Sequence, residues 1–182
     1  MLLSVLAATP AAGQTPAADP GRPFEILDNS FLVEEAFNQE PGIFQNIFGA
    51  SITDGADWDF GFTQEWPLAS QRHQFSYTVP VARVVGNSGI GDVFINYRYQ
   101  LSVEGPGRPA ISPRVSIIIP TGSETDGIGE GVVGWQVNVP FSKQHGDFYY
   151  HWGGGFTWLP SVEAVNDQVD LLTPQLSGSV LQ

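Results

Sequence analysis

Few residues in this chain have the chemistry to act on a substrate. There are three histidines, His73, His145 and His151, and no cysteine. His73 and His145 fall at turns and read as solvated. His151 shares a phase with Tyr149 and Thr157. With a Ser or Asn on a neighbouring strand it could form an ester-cleaving site, because a neutral imidazole can take up a hydroxyl proton. No G-x-S-x-G elbow accompanies it, so no catalysis is expected. Asp57, Asp59 and Glu65 share one phase of one segment, and Arg98 and Arg114 share that phase in later ones. Opposite charges so placed read as a structural network across a wall, or as the local field of a pore. Glu124, Asp126 and Glu130 surround the run Gly127-x-Gly129-x-Gly131. That stretch lacks the ligand spacing of an EF-hand and follows no βα unit, so neither a metal nor a nucleotide is expected there, and no cofactor elsewhere.

Composition narrows the classes further. The 182 residues carry 19 acidic and 7 basic side chains, a formal net charge of -12, which argues against nucleic acid as a partner. Without cysteine there is no disulfide framework, thiolate zinc site, iron–sulfur cluster or cysteine nucleophile. Charged residues make up only 14 %, while Gly (21), Pro (14) and aromatics (12 %) are plentiful, a mixture that favours an all-β chain with many turns.

The elements that must position these residues show a period of two. Trp58, Phe60, Phe62, Gln64 and Trp66 alternate with Asp57, Asp59, Gly61, Thr63 and Glu65. Phe75, Tyr77, Val79 and Val81 alternate with Gln74, Ser76 and Thr78. Val93, Ile95, Tyr97, Tyr99, Leu101 and Val103 alternate with Asp92, Asn96, Arg98, Gln100 and Ser102, with Phe94 the exception. Trp135, Val137, Val139 and Phe141 oppose Gln136, Asn138, Pro140 and Ser142. Phe148, Tyr150, Trp152, Phe156 and Trp158 oppose Tyr149, His151, Gly153, Gly155 and Thr157. Weaker segments lie at 43–52, 110–121 and 171–181. Successive strand side chains point to opposite faces, so each segment has one apolar and one polar face. This predicts eight strands of about 10 residues and no long helix.

A soluble barrel turns its apolar face inward, and a membrane barrel turns it to lipid. Three features favour lipid. Strands of about 10 residues are what a tilted bilayer crossing needs. Aromatics gather towards strand ends, with Trp58, Trp135 and Trp158 at one rim and Trp66, Phe75, Phe141 and Phe148 at the other, as interfacial girdles do. Connections alternate between short (68–72, 104–109, 144–147) and longer (122–134, 160–170), although 54–56 is short where a long one is expected. The polar phase would then line a lumen, with Asp59, Glu65, Arg98, Arg114, Asn138 and His151 on its wall. Arg83 and Lys143 continue the outer phase at opposite rims, where their stems can reach headgroups. Pro80 and Pro140 run against the pattern, since each removes a ladder donor, and are expected at bulges or rims.

The middle of the chain resembles a known family. Gly91-Asp92-Val93-Phe94-Ile95-Asn96-Tyr97-Arg98-Tyr99 is similar to the GD-x-x-x-x-Y-R-Y strand of bacterial outer-membrane transporter-type proteins associated with meta-pathway phenol degradation. Pro113 to Gly122 (PRVSIIIPTG) resembles that family's next strand, which ends in an L-P-T-G-like corner. The Gly-rich loop, Trp135-Gln136-Val137-Asn138 and Phe141-Ser142-Lys143-Gln144 follow in the family's order, and the likeness covers roughly residues 28–160. It implies a β-barrel in the outer membrane that passes small, hydrophobic or aromatic compounds. It carries no functional residues over.

At the start, Met1 to Ala8 is apolar and is followed by small residues. Residues 1–13 are therefore expected to be a signal-peptide remnant, although no Lys or Arg precedes the apolar core. Residues 14–41 read as a periplasmic linker in which Asp28-Asn29-Ser30 could cap a short helix over 31–37, or precede an edge strand. Residues 42–182 carry the strands. The chain ends on Gln182 rather than on an aromatic of the kind read by barrel-assembly machinery, so a piece of a larger barrel is expected. The expectation as a whole is an all-β, antiparallel, up-and-down transmembrane barrel in the bacterial outer membrane. Its partners would be outer-membrane lipid, the assembly machinery during insertion, and a small solute that passes passively. The rival readings are a barrel hydrolase acting through His151, a purely structural barrel, and a soluble ligand-binding barrel.

Overall fold

The computed structural model describes residues 5–10, 33–53, 57–164 and 167–181. These are all-β, with no helix among them. The strands are β1 (Val5–Pro10), β2 (Gln45–Ile52), β3 (Trp58–Leu68), β4 (Ser70–Val84), β5 (Asn87–Ile90), β6 (Val93–Tyr99), β7 (Ala110–Ile111), β8 (Arg114–Ile119), β9 (Gly134–His145), β10 (Phe148–Ala164) and β11 (Asp167–Leu181). They form one antiparallel sheet in the order β1-β2-β3-β4-β6-β8-β9-β10-β11, with β5 beside β4 and β7 beside β9. The sheet curls into an open half-barrel whose free edges are β1 and β11. Of the expected signal-peptide remnant, residues 5–10 are this edge strand, paired from Val5 to Ala50 through Pro10 to Gln45. The rest of 1–13, and 14–32 of the linker, lie outside the described residues.

Burial is inverted relative to a soluble domain. Among the described residues five hydrophobic side chains are buried (Val33, Ala36, Ala110, Ile118 and Val162) against thirteen polar or charged ones. β8 shows this over six residues. Val115, Ile117 and Ile119 are exposed, Ser116 and Ile118 are buried between them, and Arg114 is partly buried. On β10, Trp152, Phe156 and Trp158 each leave about two fifths of their surface open, while His151 keeps 3 %. The polar phase therefore faces the concave side and the apolar phase the convex side. Only Phe94 and Ile118 interrupt the polar face of β6 and β8.

The two prolines sit where strand partners change. β4 pairs with β6 from His73 to Thr78 and with β5 from Val81 to Val84. Pro80 lies in the gap, and its carbonyl accepts the Gly91 amide at 2.8 Å. β9 pairs with β8 up to Asn138 and with β7 from Phe141. Pro140 lies in that gap, and its carbonyl accepts the Ser112 amide at 3.3 Å. Each proline also faces a glycine on its other neighbour, Gly61 and Gly153 respectively. A missing donor costs little where the ladder is already interrupted.

Several boundaries differ from the sequence reading. Asn87–Ile90 forms a short strand that folds back through Val85 and Gly86, both at positive φ. The segment expected over 92–103 stops at Tyr99, and the one over 110–121 is split by Ser112-Pro113. Pro113 has no N–H, and the Tyr99 amide donates to its carbonyl instead. The long connection expected at 160–170 is strand. β10 and β11 run on to Ala164 and from Asp167, with a bulge between Leu159 and Val162 that absorbs Pro160. Residues 33–40 form neither helix nor strand.

The glycines of β10 permit the curl. A Cβ on Gly155 would lie 2.0 Å from the carbonyl oxygen of Val137 and 2.8 Å from Cα of Asn138, whereas one on Gly61 would meet nothing within 4 Å. Gly155→Ala should therefore force β9 and β10 apart and cost roughly 1–3 kcal/mol, in the range of overpacked sites. Gly61→Ala should leave folding unchanged. The folded fraction in detergent, read from unheated gel mobility, separates the two, and equal behaviour would refute this account of the curl.

Candidate functional site

The concave face is not empty. Residues 33–40 cross it as a strap, and side chains of the sheet take up the strap's backbone groups one after another. The Ala36 amide donates to Ser142 Oγ at 2.9 Å, the Asn38 amide to Gln100 Oε1 at 3.0 Å and the Gln39 amide to Gln74 Oε1 at 2.7 Å. In return, Gln100 Nε2 donates to the Ala36 carbonyl at 2.8 Å, Arg98 to the Phe37 carbonyl at 3.2 Å and Gln71 to the Asn38 carbonyl at 3.1 Å. Ser112 Oγ donates to Asn38 Oδ1 at 2.8 Å. The helix expected over 31–37 does not form in the described part of that segment for this reason. A helix satisfies its backbone internally, and here the wall supplies the partners.

The centre of the site is one carboxylate. Arg98 on β6, Arg114 on β8 and Asn138 on β9 are direct cross-strand neighbours in a single inward row. Like charges so placed repel, and they stay together only around an anion. Glu34 of the strap supplies it. Arg114 grips both oxygens, Nε on Oε1 at 2.9 Å and Nη2 on Oε2 at 3.0 Å, which is the bidentate geometry a guanidinium favours. Arg98 donates to Oε1 and Asn138 Nδ2 to Oε2. Burial alone would raise the Glu34 carboxyl above its ordinary value of 4.5. The charges of Arg98 and Arg114, with the hydrogen bonds from Arg114 and Asn138, outweigh it and hold the group at about 2. A second inward row supports the first. Arg114 Nη1 also donates to Ser116 Oγ at 2.6 Å and to Asn96 Oδ1 at 3.2 Å, and Asn96 Nδ2 donates to Ser76 Oγ at 3.1 Å.

Of the six residues expected on the lumen wall, the structure brings Arg98, Arg114 and Asn138 together on Glu34. His151 lies beside the same strap, its Nδ1 2.8 Å from Ser142 Oγ and its Nε2 3.8 Å from Glu35 Oε1. Glu65 accepts from Gln74 Nε2 at 2.8 Å and so reaches the strap through one intermediary. Asp59 is apart from these, at the other end of the sheet, accepting from the Ser51 hydroxyl. There the inner face of β2 and β3 borders a hollow of about 280 Å³ lined by Ile47, Gly49, Ser51, Asp59, Gly61 and Thr63. Lys143 does not reach outward as expected. Its ammonium donates to buried Glu104 at 2.9 Å and to the Gly105 carbonyl at 3.0 Å. Glu124, Asp126 and Glu130 are exposed, and no group of three potential metal ligands gathers among the described residues.

The aromatics expected at the rims lie on the convex face. Trp66 packs on Phe75 at 4.9 Å between ring centroids, Trp135 faces Trp158 across the β9–β10 ladder, Phe141 stacks on Trp152 at 5.5 Å, and Phe148 tilts against Tyr150. Trp58 begins β3 opposite Ile52 and Arg83.

No protein-family model, curated protein or solved structure matches the chain. The motif residues nevertheless have a structural use. Asp92 Oδ1 accepts the Gly122 amide at 2.9 Å and Oδ2 accepts the Glu130 amide at 2.8 Å, while Thr121 Oγ1 donates to the Gly91 carbonyl. A Cβ on Gly129 would lie 2.6 Å from Asp92 Oδ1 and 2.7 Å from Gly122 Cα. The Gly-Asp and Thr-Gly pairs clasp the loop over 122–133 to the strand ends.

Because the Glu34 carboxyl titrates lower when docked than when free, its contribution to docking is complete above its ordinary value. The contribution falls away as pH drops from 4.5 towards about 2. Hydrogen exchange of the Ala36, Asn38 and Gln39 amides, corrected for the intrinsic rate, should show constant protection from neutrality to about pH 5 and a loss below pH 4. At neutral pH Glu34→Gln should lower that protection by an amount equivalent to roughly 3 kcal/mol, the scale for breaking one side of a buried ion pair, and the difference should narrow as pH falls below 4. Protection independent of both pH and Glu34 would refute the carboxylate as the anchor.

Proposed function

We propose that this chain is the wall of an outer-membrane β-barrel that admits small solutes passively, of the kind implied by its resemblance to the phenol-degradation transporter-type family. The observation that carries the proposal is the inverted burial: polar side chains inside the curve and Trp, Phe, Tyr, Val and Ile outside it. A sheet with that polarity finds its convex partner in hydrocarbon and its concave partner in water. The long strands agree, β3 having 11 residues, β4 15 and β9 12, each enough to cross a bilayer at a tilt. Selection would come from width and wall charge, without a covalent step or a cofactor. The inner row of Ser76, Asn96, Ser116 and Gln136, and the hollow beside Asp59, suit a wet interior.

A second reading has one observation behind it. Ser142 Oγ, His151 Nδ1 and the Glu35 carboxylate beyond Nε2 stand in the order of nucleophile, base and orienting acid. Against it, Ser142 is fully buried and its Oγ already accepts the Ala36 amide, so the strap occupies the space an acyl group would need. Barrel hydrolysis predicts that cleavage of a short-chain ester disappears with Ser142→Ala and with His151→Ala. The proposal predicts no such activity to lose.

The full chain expressed in a Gram-negative host should fractionate with the outer membrane, and substitutions should report the facing. An arginine facing lipid near mid-depth costs roughly 2–4 kcal/mol in a barrel. Ile95→Arg and Val137→Arg, on the convex face, should sharply reduce the assembled fraction. Gly61→Arg, on the concave face where a Cβ would meet nothing within 4 Å, should be milder. The assembled protein in a planar bilayer should conduct. Reversed sensitivities, or recovery as a soluble protein without detergent, would sink the membrane reading. An assembled barrel that neither conducts nor passes solutes would leave it structural.

A further inference from the structure

We infer that Arg98, Arg114 and Asn138 form a binding site for small solute carboxylates, and that Glu34 is its resident stand-in. The inference rests on the barrel reading above and names the class of solute the barrel would favour. The side chain of Glu34 is a propionate arm, and the cradle reads every polar feature of it. Two guanidiniums meet Oε1, and one guanidinium and one amide meet Oε2. Those four donors come from three neighbouring strands of the wall, and Arg114 is further held by Asn96 and Ser116, so the wall itself places the bidentate partner. Preorganised donors of this kind recognise a carboxylate wherever it comes from.

The strap is suited to yielding its place. It has no ladder pairing with the sheet, and its bonds to Ser142, Gln100, Gln74 and Ser112 join groups that water can satisfy once it lifts. Its fully buried apolar side chains, Val33 and Ala36, are small, with Phe37 half-buried beside them, so the strap is held mainly by polar contacts. A mobile carboxylate competes with Glu34 for the same donors. It would dwell inside the wall at the one cationic row the concave face offers among its described residues, while a neutral isostere finds no such foothold. The chemical class is a monocarboxylate with a short unbranched neck, since the side chain the cradle already holds is a propionate arm with both oxygens engaged.

The test uses the purified full chain in detergent micelles and in liposomes, with propionate as probe and propionamide as its neutral isostere. Calorimetric titration should find propionate binding at least tenfold more tightly to Glu34→Gln than to the wild type, because the resident competitor is gone. Glu34→Asp, one methylene short of the cradle, should fall between them. Propionamide should bind none of the three. Adding Arg114→Gln to Glu34→Gln should abolish the gain. In liposomes, uptake of propionate should exceed that of propionamide and saturate. Equal propionate affinity in all three proteins, or equal binding of acid and amide, overturns the inference. So does failure of both Glu34 variants to assemble, which would make the strap a permanent part of the wall. The underlying reading fails separately. If propionate binds as expected in micelles yet neither solute crosses the liposome, the cradle stands and passage falls. If both solutes cross equally and neither binds, passage stands and the cradle falls.

Discussion

Two guanidinium groups held side by side on neighbouring strands need an anion between them, and the interior of this half-barrel is arranged around that need. Arg98 and Arg114 are fixed as direct neighbours by the β6–β8 register, so both side chains leave the wall at one place and only a slipped ladder would part their backbones. A one-residue slip would turn the apolar phase inward along the whole strand, which the convex face forbids. The acids on the wall lie elsewhere, Glu65 on Gln74 and Asp59 beside Ser51. The carboxylate must therefore come from outside the sheet, and the strap brings it. Once Glu34 is seated, the next residues fall within reach of Ser142, Gln100, Ser112 and Gln74, and the strap's irregular course follows from where those side chains stand.

The same sheet solves a second problem, that of proline in a ladder. Pro80 and Pro140 are equivalent in their surroundings. Each sits where a long strand changes partner, each offers its carbonyl to the chain entering the gap, and each faces a glycine behind. The gaps at β5/β6 and β7/β8 are thus the places where the sheet tolerates lost donors. They also let short strands pad the two long ones, β4 and β9, at opposite ends. The run Gly153-Gly154-Gly155 lies next to one of these gaps. Backbone atoms of β9 come close enough there to exclude a side chain at Gly155, so the curl and the proline are placed together.

Much of this was legible in the sequence, and what was not has a physical cause. The period of two gave the long strands and their inward and outward phases, because burial in a two-faced sheet selects every second residue. Arg98, Arg114, Asn138 and His151 were identifiable from that phase as sharing the polar face, and strand length and the aromatic rims were what turned that face inward. Short strands escaped it. Asn87–Ile90 and Ala110–Ile111 have four and two residues, too few for alternation to register, and they exist because β4 and β9 have unpaired length to fill. Glu34 escaped for a different reason. Residues 33–40 have no periodicity, since their bonds are to side chains rather than to a ladder, and an acid in such a segment looks like any capping residue. The usable signal was a shortfall: two inward arginines in adjacent segments with no inward acid opposite them.

The net charge of -12 is distributed away from the arginine row. Glu124, Asp126, Glu130, Glu163, Asp167 and Asp170 are exposed in the loop over 122–133 and at the β10–β11 end. At physiological ionic strength, exposed charges are screened beyond about 8 Å, so these acids set the potential of the rim and little beyond it. Arg98 and Arg114 are largely withdrawn from solvent, with side chains 9 % and 18 % exposed, and their field is screened much less. The wall is thus cationic at this one row inside an acidic protein. Glu34 demonstrates the strength of that field on itself. Burial by itself would make the carboxyl easier to protonate, and the two guanidiniums hold it down at about 2 instead. Acidity in the ordinary physiological range therefore leaves the group charged, and the ion pairs that anchor the strap persist across it.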